Sequence, residues 1–291
     1  MESHFLESFV AVIKHGSIAG AARQLDLTPA AITLRLKALE NEFGAPLVQR
    51  SGRTVVSTEA GARVFARAQT VLRDIADLKS LATSTCMTGQ LRLGVIASAA
   101  SGLLPGVLGY FNEQHPNTRI LIQRGVSSVL YRAVCDEELD AALVVEPQFG
   151  IPKTCEWQRL NDEPLILLAS SALRVDDVHE TLAREPLIRY DHSHWGGKIA
   201  DDYLRLAGIE PIERYELDAL DSVAALVEKG LGVSLVPNWA GPWIQGRALT
   251  RHSLPVEGFS RQVGLLWNRS SIRARQIQSL LEATQRALAD D

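Results

Sequence analysis

The stretch LTPAAITLRLKALENEFG, residues 27–44, holds the first side chains that could do chemistry. Its periodicity is helical. With Ile32, Leu36, Leu39 and Phe43 as the buried stripe, Ala30, Leu34, Lys37 and Asn41 fall on the opposite face and Thr33 at its flank. Ala30 and Leu34 offer methyl groups that can pack on the C5-methyl of thymine, and Thr33 can bond a base edge or a phosphate. Arg35 and Lys37, with Arg50 and Arg53 downstream, can neutralise phosphates. The competing reading of Leu34 is contact with another part of the protein. For Arg50 it is a structural ion pair.

A second set lies further along. VIASAAS and QRGVSS place Ser98, Ser101, Ser127 and Ser128 where an apolar run passes into a helix start. Ligands in open α/β sheets lie beyond such strand ends, and helix N-termini favour anions. Each serine could equally serve as a simple cap. YDHSHWGGK, residues 190–198, brings Tyr190, His192, His194, Trp195 and Lys198, and LDALDS brings Asp218, Asp221 and Ser222. Such residues can recognise a small polar or aromatic ligand, and the helix starts point to one bearing a carboxylate. The plain readings are a solvated loop for the histidines, with a metal pair as a third, and a cleft wall or core position for Trp195. No Walker loop, GxSxG elbow or HExxH motif occurs, and Gly230-Leu231-Gly232 lacks the third glycine of a dinucleotide fingerprint. No catalytic residue, metal or cofactor is therefore expected. Cys86, Cys135 and Cys155 are odd in number and widely spaced, which predicts reduced thiols rather than a disulfide framework or zinc site.

Specific elements must hold these residues. Leu6, Phe9, Val10 and Ile13 repeat as a helix over 5–15; Gly16 suits its end, and Ser17 suits the cap of a helix over 18–25. Thr28 can cap the next, with Pro29 at its first position. Two short helices joined by a tight turn make a helix-turn-helix candidate. VQRSGRTVV reads as a hairpin wing, and Ser57 or Thr58 as the cap of a long helix to about 82. Along that helix Val64, Ala68, Val71, Ile75, Leu78 and Ala82 form a heptad seam, which predicts a helix-to-helix dimer, the competing reading being packing on its own domain. Residues 82–90 read as a hinge. Beyond it, strands and helices alternate as βαβαβ, then as a second set, with VGLLWNR a return strand and 272–289 a final helix. This pattern predicts two α/β lobes around a solute cleft.

Composition agrees with an ordinary globular chain: 291 residues, 46% hydrophobic, 22% charged, mean hydropathy +0.02. No apolar run is long enough to span a bilayer, and MESHFLESFV lacks a signal-peptide pattern, so a cytoplasmic protein without membrane partners is expected. The net charge of −4 is uneven: residues 1–90 carry 10 basic against 8 acidic side chains, which permits a nucleic-acid surface without proving one.

GSIAGAARQLDLTPAAITLRLKALENEFGAPLVQRSGRTVVSTEAG resembles the head of LysR-type transcriptional regulators. The matching features are Ala21-Ala22, Leu39-Glu40, Gly44, Pro46-Leu47, Arg50, Thr58 and Gly61, in order over about 60 residues. CDEELDAALV and LVEKGLGVSLVP extend the similarity, more weakly, along the chain. The resemblance implies a winged helix-turn-helix over 1–58, a linker helix over 59–82, a hinge over 83–90, and a two-lobed, periplasmic-binding-protein-like effector domain over 91–291. Lobe I would comprise about 91–162 and 268–291, and lobe II about 163–267. It implies double-stranded promoter DNA as partner, met by Ser17, Thr28, Pro29, Ala30, Thr33, Leu34, Arg35, Lys37, Arg50 and Arg53. It implies a small effector between the lobes near Ser98, Ser101, Ser127, Ser128, Tyr190, His194, Trp195 and Asp221. A homodimer through the linker helix, and a homotetramer, follow from the same likeness. The alternatives are a solute-binding protein without a transcriptional role, or an enzyme in the α/β part. This chain departs from the family's pattern at Pro29 (usually Gln), Thr33 (usually Ser), Leu34 (usually polar) and Val48 (usually aromatic), so base preferences do not transfer.

Overall fold

The computed structural model describes residues 2–52, 54–83, 90–239 and 244–290; Arg53 and most of the expected hinge, 84–89, lie outside the described residues. The chain divides into two compact units, 1–89 and 90–291.

The first unit is built from α1 (Ser3–His15), α2 (Ile18–Gln24), α3 (Pro29–Phe43), β1 (Val48–Ser51), β2 (Thr54–Ser57) and α4 (Glu59–Thr83). Local chemistry sets several of these boundaries. Gly16, at φ +60°, closes α1, and the Ser17 hydroxyl accepts from the Gly20 amide at 3.1 Å to open α2. Thr28 accepts from Ala31 N at 3.2 Å with Pro29 at the first position of α3, and Gly44, at φ +66°, ends it. Phe9, Val12, Ala21, Ile32, Leu39 and Leu47 are fully buried, and each large apolar side chain adds about 1.5–3 kcal/mol.

The remaining motif residues are explained by a joint between α3, the wing and α4. A Glu40 carboxylate oxygen accepts from the amides of Leu47 and Val48 at 2.8 and 3.2 Å. Thr58, rather than Ser57, caps α4. Its hydroxyl donates to the Pro46 carbonyl at 2.7 Å and accepts from Gly61 N at 2.9 Å. A Cβ at Gly61 would sit 1.9 Å from the Leu47 carbonyl oxygen, so no side chain fits there.

Two expectations change here. Phe43 is 44% exposed rather than buried, because the stripe of α3 runs past the small head core on its last turn. The seam of α4 also divides. Ala68 is buried and Val64 and Val71 pack on the head's own core, whereas Leu78 is 65% exposed. The side chain of Ala82 lies outside the described residues.

The second unit runs β3 (Gln90–Val95), α5 (Ala97–Ser101), α6 (Leu104–Gln114), β4 (Arg119–Arg124), α7 (Ser127–Cys135), β5 (Ala141–Val145), β6 (Cys155–Ser170), α8 (Val178–Arg184) and β7 (Pro186–Tyr190). It continues with α9 (Lys198–Ala207), β8 (Ile212–Leu217), α10 (Leu220–Glu228), β9 (Ser234–Pro237), β10 (Leu249–Ser253), β11 (Ser260–Asn268) and α11 (Ala274–Ala289). β4, β3 and β5 are parallel, as βαβ crossovers require, and β11 returns antiparallel beside β5. β6 is the shared element. Residues 155–164 pair with β11 in lobe I, and residues 165–170 pair with β9 and β10 in lobe II. The parallel pair β7–β8 joins β9 through a Leu187–Val233 bridge. In lobe II, Leu165, Leu167 and Ala169 face one core with Leu182 and Tyr203, while Ile166 and Leu168 face another with Val223 and Val227. That alternation is the two-residue strand period with both faces covered.

β11 pairs with β5, so residues 260–267 belong to the lobe I sheet rather than to lobe II. The short α5 and the strand β10 are elements that periodicity did not reveal.

Candidate functional site

On the head, Pro29, Ala30, Lys37 and Asn41 are exposed and Leu34 is 72% exposed, so the fold of this unit does not cover the leucine. Ser17 and Thr28 are spent as helix caps. The Thr33 hydroxyl donates back to the Pro29 carbonyl at 2.9 Å and offers outward only its lone pairs. Arg35 does not join the face: its guanidinium turns inward to the Ser8 hydroxyl on α1, 3.4 Å away, because residue 35 lies beside the buried stripe. Arg50 stands exposed on β1 and forms no ion pair among the described residues.

In the second unit the strand ends of both lobes meet at a narrow cleft of about 60 Å³. Lobe I contributes Ser98 from α5, Gly125 and Val126 after β4, and Ser127 and Ser128 opening α7. Lobe II contributes Tyr190 at the end of β7, Ser193, His194 and Trp195 after it, and Asp218 and Asp221 at the start of α10. The serines do not cap their helices. Ser127 instead accepts from the Val145 amide at 3.1 Å, tying α7 to β5. Ser101 is not brought to the cleft. One helical turn carries it about 4.5 Å beyond Ser98, and its hydroxyl turns back on the Ala97 carbonyl. His192 also stays outside, exposed and bonded to Glu216 at 2.6 Å, and Lys198 and Ser222 are exposed away from the lining.

The residue that periodicity overlooked is Arg261. It is 2% exposed, donates from Nε to Glu163 at 2.7 Å and from Nη2 to Ser98 at 2.9 Å, and also bonds Glu163 through Nη2. Its local pattern did not single it out: β6 carries Glu156, Arg159 and Asp162 beside Glu163, and the fold decides which of these charges is buried. Arg261 spans from lobe I's return strand to the cleft floor. Burial raises the pKa of Tyr190, and the neighbouring guanidinium opposes that rise. Asp191 is held below the usual carboxylate range, first by the Ser193 hydroxyl. The 190–198 loop needs its glycines: a Cβ at Gly197 would lie 2.0 Å from the Asp191 carbonyl oxygen. Across the cleft, Trp195 of lobe II packs edge-on against Tyr131 and Phe149 of lobe I, at 6.1 and 5.5 Å between ring centroids.

A winged helix-turn-helix unit followed by a two-lobed cleft unit defines a class: DNA-binding proteins that answer to a small ligand. The comparisons with known proteins agree. The family model for the bacterial regulatory helix-turn-helix protein, lysR family, matches residues 4–62, and that for the LysR substrate binding domain matches 87–289. The chain belongs to the LysR family of transcriptional regulators. It is similar to the HTH-type transcriptional regulator CzcR of Bacillus cereus, 24% identical over 98% of this chain and 97% of that one. It is also similar to a probable hydrogen peroxide-inducible genes activator of Streptomyces viridosporus, 30% identical over 98% and 94%. Among solved structures, a full-length OxyR variant from Pseudomonas aeruginosa superposes with a TM-score of 0.74 at 21% identity, covering 98% of this chain and 95% of that one. CbnR, a LysR family regulator, gives 0.68 at 19%, covering 99% of each chain. These last two speak for the fold alone. The family is one of DNA-binding regulators with an effector domain, so the reading as a bare solute-binding protein is set aside. It is not a family of enzymes.

Proposed function

We propose that this regulator binds its promoter through Pro29, Ala30, Thr33, Leu34, Lys37, Arg50 and Arg53, and that a small carboxylate-bearing effector in the 60 Å³ cleft controls it. The observation that carries the effector reading is the meeting of two chemically opposite walls. Lobe I presents the N-terminus of α7 with Ser98, Ser127 and Ser128, a setting that favours an anion. Lobe II presents Asp218 and Asp221, which favour a donor. The matching ligand is a carboxylate carrying a hydroxyl or ammonium group at its other end. By volume the cleft admits roughly four waters, so a larger effector enters by separating the lobes at β6 and β11 and parting Trp195 from Tyr131 and Phe149. The protein performs no catalysis in this reading and works in the cytoplasm; among the described residues no helix is long and apolar enough to cross a membrane.

Assembly follows from α4. Leu6, Phe43, Leu47, Val64, Ala68 and Val71 line an open, mostly apolar groove of about 410 Å³. With the exposed Leu78, this surface supports a homodimer through the linker helix, and the dimers pair into a homotetramer. Footprinting on the DNA upstream of the protein's own gene tests the DNA reading: protection of one or more inverted repeats is expected, and uniform coating would reject it. A thermal-shift screen tests the effector: stabilisation by neutral or purely cationic compounds alone would reject the carboxylate.

A further inference from the structure

Cys135 and Cys155 are 20 positions apart with no motif between them, yet the fold brings their sulfurs to 3.6 Å. Cys135 ends α7 and Cys155 begins β6; both are free thiols, the first half-buried and the second buried. Cys135 is thus the more exposed residue of the pair. Tyr131 sits one helical turn before Cys135 on the same face of α7. Its ring meets Phe149 edge-on at 5.1 Å and Trp195 at 6.1 Å. The segment between the cysteines contains β5 and the loop that carries Phe149. The thiol pair and the cleft-closing rings therefore share one helix and one loop.

We propose that Cys135 and Cys155 form a redox modification site, which a peroxide or a low-molecular-weight disulfide converts to an intramolecular disulfide that shifts the end of α7 and, through Tyr131, the rings across the cleft. With a peroxide, the deprotonated Cys135 sulfur attacks one peroxide oxygen. The O–O bond breaks, the departing oxygen leaves with the sulfur's former proton as water or alcohol, and Cys135 becomes a sulfenic acid. The Cys155 sulfur then attacks the Cys135 sulfur. The S–S bond forms, the S–O bond breaks, and the leaving hydroxide takes the Cys155 proton as water. The two thiols lose two electrons in all, and the peroxide gains them. The sulfurs must close by roughly 1.5 Å to reach the length of a disulfide. Burial, with Cys135 beside it, pushes the Cys155 thiol up to about 11, so the half-buried Cys135 is the point of entry. This site does not depend on which effector fills the cleft.

The experiment uses the full chain carrying Cys86→Ser, so that two thiols remain. After hydrogen peroxide, non-reducing peptide mass spectrometry should show one 135–155 cross-link with two hydrogens lost, reversed by dithiothreitol. The melting temperature of the oxidised protein should rise by about 5 °C or more, because closing a 20-residue loop restricts the unfolded chain. Cys135→Ser and Cys155→Ala should show neither change. Tryptophan emission should change on oxidation, and Trp195→Phe should abolish that change. Two thiols still titrating at a peroxide dose that consumes free glutathione would overturn the site, as would sulfinic acid or intermolecular bridges in place of the cross-link. A cross-link with unchanged emission would overturn the link to the rings.

Discussion

The exposed face of the head and the cleft of the second unit both hold cationic side chains, but they treat those charges in opposite ways. On the head, Lys37 and Arg50 stand in water, while Arg35 is drawn inward. In the cleft, Arg261 is almost wholly buried and is held by bonds to Glu163 and Ser98. A surface that reads DNA gains from solvated cations, which neutralise phosphates and release counterions. A cleft that recognises a small molecule gains from groups already fixed in place, because little ordering is left to be done on binding. The same residue type, arginine, is therefore solvated at Arg50 in one unit and part of the buried framework at Arg261 in the other.

The contrast can be broken most sharply at Arg261. Arg261→Ala leaves Glu163 buried without its cation and should cost about 3–5 kcal/mol of stability in the second unit, read by urea denaturation. The double change Arg261→Met with Glu163→Leu should recover most of that loss, and a loss below about 1 kcal/mol for the single change would show that the pair is not framework. Next in size is Gly61→Ala, which forces a Cβ against the Leu47 carbonyl oxygen. It should destabilise the head by about 2 kcal/mol or more and leave the melting of the second unit alone. Leu34→Ala should leave stability within about 0.5 kcal/mol while weakening binding to a thymine-containing operator by about 1 kcal/mol. Equal losses on operator and random DNA would remove base readout from Leu34. The smallest effect belongs to Arg50→Ala, whose signature is a salt dependence of binding flatter by about one phosphate; an unchanged slope would return Arg50 to a structural role.

The head was the more legible unit because its contacts are local. Ser17, Thr28 and Pro29 act within three or four residues of themselves, and helical spacing alone turns Leu34 outward. Legibility failed where a side chain reached another element: Arg35 found Ser8, 27 residues away, and Phe43 ran past the core it was expected to join. In the second unit the alternation of strands and helices was readable, and so were the segments that line the cleft, though Ser101, His192, Lys198 and Ser222 within them lie off the lining. The long β6 serving both lobes was not, since a 16-residue strand with pairing on both edges carries no period that tells where one lobe stops.

The sequence by itself determined the helix caps, the outward face of α3, the parallel βαβ order and the family, because each depends on neighbours within a few residues or on a motif. Only the tertiary structure decided that Arg261 lies 163 positions from its Ser98 partner in one bonded group, that Trp195 closes on Tyr131 and Phe149, and that Cys135 faces Cys155. Those pairings come from strand order and crossing, which bring distant segments together through burial of shared apolar faces. No local rule encodes which strand will lie beside which.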